Sequence, residues 1–357
     1  MVLDLTVSSV DLTRAICDIP SVSGDETHLA DEIEAAVRAY PHLEVTRHGN
    51  TIVARTTLGR DQRVVIAGHI DTVPINDNVP TRDIDVDGEP FLWGRGTVDM
   101  KAGVAVQLKL AAELTAPAVD ITWMWYDNEE VEASKNGLNL LSAARPDLFQ
   151  ADFAILGEPS NGTVEGGCNG TLRAVVRTHG VRAHSARAWV GENAIHRAAP
   201  VLARLAEYRA REVAVEGLDY REGLSAVKIS GGVAGNVIPD LCEVEVNYRF
   251  APSKDSAEAE AHVRNVFAGF EVEITDAADG ARPGLDAPIA RQFLAAVGAE
   301  AKPKYGWTDV ARFSALGIPA VNYGPGDPHL AHHDQERVPL RQIDDVERGL
   351  RAWLTAS

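Results

Sequence analysis

Apolar positions along the chain change their period near the middle. Within residues 23–40, Leu29, Ile33, Ala36 and Tyr40 recur at helical spacing, with Ser23 or Asp25 placed to cap the helix. Residues 64–67 form a short unbroken apolar run, as a strand covered on both faces requires. A second helical pattern follows Lys101, and residues 121–126 and 153–156 supply two more buried-strand runs. Strands alternating with helices predict an α/β domain with a mainly parallel central sheet.

After about Gly170 the pattern is different. Residues 171–178 read as a strand and 193–208 as a helix, followed by strands at 226–230 and 241–250. In the last of these, Val244, Val246 and Tyr248 alternate with Glu243, Glu245 and Asn247. A helix over 256–267 and a strand over 271–275 complete the order βαββαβ, that of a split, ferredoxin-like α+β unit. Helical and buried-strand signals resume after Pro283, including 318–323. The expected organisation is therefore a catalytic domain from 1–169 and 284–357, interrupted by a smaller domain at 170–283.

A length of 357 residues with 45% apolar content suits two domains with a substantial core. The net charge of −18, with no long Lys/Arg block, argues against nucleic acid and anionic membranes as partners. Cys17, Cys168 and Cys242 are too scattered for a disulfide framework or a zinc-finger site. The N-terminus lacks the pattern of a signal peptide, and no stretch approaches the roughly 18 apolar residues of a membrane span. A cytoplasmic enzyme is expected.

The buried runs end in polar groups: Gly68-His-Ile-Asp71, Asp127-Asn-Glu-Glu130 and Gly157-Glu-Pro159. Open α/β sheets bind ligands beyond the carboxyl ends of their strands. Candidate ligands or bases are His69 and Asp71, Asp99, Glu129 and Glu130, Glu158, and the pair His332/His333. Imidazole nitrogen and carboxylate oxygen suit Zn²⁺, and one carboxylate can bridge two ions. Taken singly, each has a plainer explanation: Asp99 as a helix cap, Glu129-Glu130 as a solvated turn, the histidines as exposed loop residues. Their shared placement at one sheet end favours a metal centre.

Gly68-His-Ile-Asp-Thr-Val-Pro74 resembles the first signature of the zinc aminoacylase/carboxypeptidase family, and Gly94-Arg-Gly-Thr-Val-Asp-Met-Lys-Ala-Gly103 resembles its second. Asn128-Glu-Glu130, Gly157-Glu-Pro-Ser160 and His332 follow in the family's order, so the similarity spans essentially the whole chain. The resemblance implies two Zn²⁺ per subunit, with Co²⁺ as a substitute. One ion would be held by His69 and Glu158, the other by Glu130 and His332, with Asp99 bridging them. Asp71 would orient His69, and Glu129 would be the general base and then the acid. His332 is preferred to His333 because the family's histidine is followed four residues on by a Glu, here Glu336. A cis Asp99–Met100 peptide is also implied.

Residues 158–173 and 184–195 most resemble the succinyl-diaminopimelate desuccinylases within that family, in the form found in high-GC Gram-positive bacteria. That branch removes succinate from N-succinyl-LL-2,6-diaminopimelate, a step toward lysine and peptidoglycan precursors. A small N-acyl amino acid carrying several carboxylates calls for guanidinium groups, and Arg187, Arg249 and Arg312 are the candidates. Asn236, Thr308 and Gly326 join them by resemblance. His184 would stabilise the tetrahedral oxyanion, reaching the site from the partner subunit of a homodimer formed by the inserted, lid-like domain. Acetylornithine deacetylases, di- and tripeptidases and carboxypeptidases share the metal motifs. A non-catalytic binding protein on this scaffold is the contrasting reading, and the intact ligands and Glu129 argue against it.

Overall fold

The structure, a computed structural model, describes residues 3–356. It comprises two compact units. One takes the chain up to Gly166, Gly284–Lys302 and everything from Arg312 on, and the other takes Gly167–Pro283 and Pro303–Ala311.

The first unit is built on an eight-stranded sheet. Its order is Glu44–His48, Thr51–Arg55, Asp120–Tyr126, Arg63–His69, Phe153–Leu156, Ala320–Asn322, Val164–Gly166 and Ala301–Pro303. Arg63–His69 runs parallel to both neighbours, and Ala320–Asn322 runs parallel to Phe153–Leu156. The flanking pairs Glu44–His48 with Thr51–Arg55, and Ala320–Asn322 with Val164–Gly166, are antiparallel. The apolar runs therefore form the parallel centre, where Asp120–Tyr126 and Phe153–Leu156 are buried at every residue.

Lys101–Glu113 is a helix whose first twelve residues are all buried. It packs against Ser9–Cys17, Leu340–Thr355 and the Arg63–His69 strand, which explains why it is buried all round, Lys101, Gln107 and Lys109 included. Leu340–Thr355 is amphipathic, with Ile343, Val346, Leu350, Trp353 and Leu354 turned inward. Backbones come unusually close beside the strand ends. A Cβ on Gly103 would meet the Gly157 carbonyl oxygen at 2.2 Å, and one on Gly324 would meet the same atom at 2.2 Å.

The second unit carries a four-stranded antiparallel sheet in the order Gly223–Gly231, Leu241–Phe250, Gly170–His179, Glu271–Ala278. Ala199–Glu207 and Ser256–Val266 supply the helices, the latter opened by a capping box of Asp255 and Glu258. Leu172, Ala174, Val176, Val244, Val246 and Tyr248 form the core of this unit, so the alternation in the sequence is the alternation of buried and outward positions.

Several expectations are corrected. The first long helix begins at Thr27 behind Glu26, and the Ser23 hydroxyl instead donates to Asp71 Oδ2 at 2.7 Å. The helix expected over 193–208 is two pieces, Ala194–Arg197 and Ala199–Glu207, because Pro200 has no N–H to continue the first. The inserted unit exceeds 170–283, taking in Gly167–Asn169 and Pro303–Ala311. Hydrogen bonds account for this: Cys168 and Ala281 exchange both backbone bonds, Asn169 N–H donates to Lys304 O, and Trp307 Nε1–H donates to Asp279 O. Among the described residues no helix is long and apolar enough to cross a membrane.

Gly103→Ala tests the close approach. Overpacking of this kind costs about 1–3 kcal/mol or more, so the variant's urea midpoint should fall clearly below wild type. An unchanged midpoint would mean the Lys101–Glu113 helix does not lie on Gly157.

Candidate metal centre

His69 closes the Arg63–His69 strand, Glu129 and Glu130 lie just beyond Asp120–Tyr126, and Glu158 lies just beyond Phe153–Leu156. Parallel neighbours thus deliver their chemistry to one end of the sheet, at the carboxyl ends of its central strands. Asp99 lies two residues before the Lys101–Glu113 helix, whose N-cap is Met100, and its peptide to Met100 is cis. His332 comes from a C-terminal loop, in the left-handed region at φ 63°.

These side chains meet in three overlapping groups: His69, Asp99 and Glu158; Asp99, Glu130 and His332; His69, Glu129 and Glu130. Within each group one donor atom per residue lies within 4.8 Å of the others. Asp99 divides its carboxylate between the two imidazoles, with Oδ1 at 3.0 Å from His69 Nε2 and Oδ2 at 3.3 Å from His332 Nε2. Glu158 Oε1 lies 4.0 Å from His69 Nε2, and Glu130 Oε1 lies 2.9 Å from His332 Nε2. The neighbouring His333 turns back on its own loop, its Nδ1 accepting from Gln335 N–H at 3.0 Å.

The groups behind this cluster fix it. His69 Nδ1 is 3.0 Å from the Asp71 carbonyl oxygen and 3.4 Å from its Oδ1. The buried Asp71 carboxylate also accepts from the backbone N–H of Glu129 at 3.0 Å and of Glu130 at 3.1 Å. It therefore holds the segment that carries both glutamates as well as facing the histidine. Glu336, 1% exposed, accepts from Val98 N–H at 2.9 Å and Asp99 N–H at 3.0 Å, and from Arg95 Nη1 at 2.8 Å. Lys101 is buried with its Nζ on the carbonyls of Ile16 and Ile19. Both nearby cations are thus committed elsewhere.

What remains is a set rich in negative charge. Burial opposes ionisation of Asp99, but the His332 and His69 hydrogen bonds outweigh it and hold Asp99 well below the usual carboxylate range. Hydrogen bonds to Asp99 and Glu130 push His332 up to about 10. Burial would depress His69, yet Asp71 and Asp99 raise it well above its ordinary value. Imidazole nitrogens and carboxylate oxygens, crowded and short of positive charge, are the donor chemistry of a divalent transition-metal site. His69, Asp99, Glu130, Glu158 and His332 could hold two ions with Asp99 common to both.

The other residues expected at the site lie outside this cluster. His184 is exposed and accepts from Ala186 N–H at 3.0 Å, and Arg187 is exposed beside it. Asn236 is exposed, and its carbonyl accepts from Ser185 N–H. Arg249 is half-buried, donating from Nε to Asn247 Oδ1 at 3.1 Å. Thr308 is buried, and its carbonyl accepts from the Cys168 thiol at 3.7 Å. These five belong to the inserted unit, whereas Arg312 and Gly326 belong to the main one. Gly326 needs its glycine for a φ of 98°, and its N–H donates to Gln342 Oε1 at 2.8 Å. Sequence reasoning assigned no role to Arg95 or Lys101, although both lie in the second motif. It used Glu336 only as a spacing mark.

Residues 65–356 match Peptidase family M20/M25/M40. The chain is 53% identical, over 99% of both chains, to a Mycobacterium tuberculosis protein that carries the name succinyl-diaminopimelate desuccinylase provisionally. It is 47% identical to the succinyl-diaminopimelate desuccinylase of Corynebacterium glutamicum, over 99% of this chain and 98% of that one. A tripeptidase from Staphylococcus aureus superposes with a TM-score of 0.78 at 20% identity, covering 99% of each chain. A dinuclear metal-binding M20 peptidase from Bacillus subtilis gives 0.69 at 17% identity, covering 97% of this chain and 96% of that one. The two solved structures speak to the fold; the family match and the full-length identities settle membership. This chain belongs to peptidase family M20/M25/M40.

Proposed function

We propose that the protein is a succinyl-diaminopimelate desuccinylase, a metal-dependent amide hydrolase that releases succinate from N-succinyl-LL-2,6-diaminopimelate. The observation that carries this reading is the complete donor cluster, with Glu129 beside it, in a chain that aligns end to end with desuccinylases. A cytoplasmic location is part of the same reading.

His69 and Glu158 would hold one Zn²⁺ and Glu130 and His332 the other, with Asp99 available to both; Co²⁺, with similar ligand preferences, would be an acceptable replacement. When bound, such ions polarise the scissile carbonyl and make water a competent nucleophile near neutral pH. Glu129 takes the proton from the attacking water and delivers it to the departing amine nitrogen. Asp71 fixes His69 on one side and the Glu129–Glu130 backbone on the other. Both roles suit a carboxylate that never touches substrate.

Arg187, Asn236, Arg249, Thr308, Arg312 and Gly326 are assigned to the substrate's carboxylates and amide. Support is clearest at Arg249. Burial, then the neighbouring Arg173, lower its pKa, and its Nε donates to the neutral side chain of Asn247. A partly desolvated guanidinium beside another favours an incoming anion.

His184 is assigned to the tetrahedral oxyanion, acting across a homodimer formed by the inserted unit. The edge strand Gly223–Gly231 supports this, because Val227 and Ile229 are 63% and 50% exposed, with Ile195 and Leu202 also exposed. An uncovered strand edge carrying apolar side chains is suited to a twofold contact.

Metal uptake should release protons. The raised pKa of His332 adds stability to the metal-free fold below about 6.5, its unfolded value, and that contribution is lost as pH rises through about 10. Zn²⁺ must displace the same proton, so its affinity should rise with pH. Calorimetric titration at pH 7 in buffers of different ionisation enthalpy should give buffer-dependent heats. Identical heats would contradict the charged imidazoles.

Glu129→Gln should keep both ions and lose about 10²–10⁴-fold in kcat on N-succinyl-LL-2,6-diaminopimelate. Wild type should prefer that substrate to N-acetylornithine and dipeptides, and lose activity on chelation. Preference for a dipeptide would move the protein to another branch of the family. For the dimer, inactive Glu129→Gln and His184→Ala chains should regain activity when mixed. No rescue in a mixture shown to contain heterodimers would place His184 in its own subunit's chemistry or in none.

A further inference from the structure

The proposed base, Glu129, sits on a turn whose three consecutive amides are all held by buried carboxylates. Glu129 N–H and Glu130 N–H go to the two oxygens of Asp71, at 3.0 and 3.1 Å. Asn128 N–H goes to Glu26 Oε1 at 3.3 Å, and the same oxygen accepts from Gly24 N–H at 2.8 Å. Glu26 is 0% exposed although it stands at the N-terminus of the Thr27–Val37 helix, where a glutamate would ordinarily face water. Ser23, on the same turn as Glu26, donates its hydroxyl to Asp71 Oδ2 at 2.7 Å.

This second turn is itself anchored beside His69. Ser23 N–H donates to Thr72 O at 3.1 Å, and Thr72 N–H donates to Ser21 O at 2.9 Å. The held turn also has a conformation that needs holding. Asn128 has φ 58°, a region that L-residues other than Asn and Asp seldom occupy. The local bond from Asn128 Nδ2 to Asp127 Oδ2 supports it from one side only.

We propose that Glu26, assisted by Ser23, is a positioning residue for Glu129. Its carboxylate oxygen clamps the Asn128 amide to the Ser23–Glu26 turn, and the turn fixes where the base's carboxylate is presented. The proposal rests on Glu129 being the base. What it adds is that the aim of that base is set by a residue roughly a hundred positions earlier, through an acceptor and not through charge.

The test uses full-length protein loaded with Zn²⁺, comparing wild type, Glu26→Gln, Glu26→Met, Ser23→Ala and Glu129→Gln on N-succinyl-LL-2,6-diaminopimelate. Glu26→Met keeps volume but removes the acceptor. It should retain both ions, keep KM within about threefold and lose about 10–100-fold in kcat, the scale of a misplaced catalytic group. Amide exchange over residues 127–131, followed by mass spectrometry, should accelerate in the same variant. Glu26→Gln still offers an oxygen to Asn128 and should recover both kcat and protection.

Wild-type kcat in Glu26→Met would overturn the proposal, as would faster exchange with unchanged turnover. Equal impairment of Gln and Met variants would also overturn it, because charge and not the acceptor would then matter. If Glu26→Met does not fold, Ser23→Ala decides. A several-fold loss in kcat at constant KM supports the clamp, and wild-type kcat rejects it. Failure of wild type to hydrolyse any N-acyl amino acid would remove Glu129's role altogether, whereas unchanged exchange in Glu26→Met rejects the clamp alone.

Discussion

One carboxylate facing two imidazoles is the interaction on which the main unit's loops depend. Asp99 can take His69 on one oxygen and His332 on the other only if its backbone is fixed from behind. Glu336 does this by accepting both the Val98 and Asp99 amides, and Arg95 neutralises Glu336 in turn. Met100, buried next to Asp99, receives the His69 amide on its sulfur at 3.4 Å. Gly103 lets the helix that follows settle on Gly157, next to the glutamate of the Gly157-Glu-Pro159 segment. The second motif is thus a scaffold for one side chain: Thr97 and Lys101 are tied to backbone carbonyls, and Arg95 to the glutamate that holds the Asp99 amide.

Burying this many carboxylates is costly unless each is hydrogen-bonded or paired. The protein meets the cost with backbone amides more often than with cations. Asp71 takes Glu129 and Glu130, Glu336 takes Val98 and Asp99, and Asp120 takes Leu58 and Arg60. Amide donors cannot move or leave, so they orient a carboxylate without neutralising the cluster it serves. A lysine or arginine in their place would lower the affinity of the centre for a divalent ion. Lys101 illustrates the alternative: it is buried close by, but its ammonium is spent on two carbonyls.

Much of this was legible in the sequence, for physical reasons. The parallel strands were legible because burial on both faces leaves unbroken apolar runs, and their chemistry was legible because it sits where those runs stop. The strand Leu241–Phe250 announced itself by strict alternation. The hairpins Glu44–His48 with Thr51–Arg55 and Arg82–Val86 with Glu89–Trp93 went unread; in the second, most positions are half-buried or exposed, so periodicity is weak. Ser23 looked like a cap because hydroxyls before helices usually are. Its actual partner, Asp71, is distant in sequence, and no local pattern encodes that. The return of Pro303–Ala311 to the inserted unit was invisible for the same reason.

An overall charge of −18 repels a substrate that carries several carboxylates. Distance resolves the difficulty. At physiological ionic strength the Debye length is about 8 Å, so surface carboxylates beyond it hardly repel an approaching anion. What the substrate meets at close range is set locally. In the inserted unit, burial and then the neighbouring Arg173 lower Arg249's pKa, and an anion bound beside them would relieve both costs. The cluster of His69, Asp99, Glu130, Glu158 and His332 has the opposite sign, and divalent ions held there would compensate its carboxylates. The acidic surface thus serves solubility without deciding specificity.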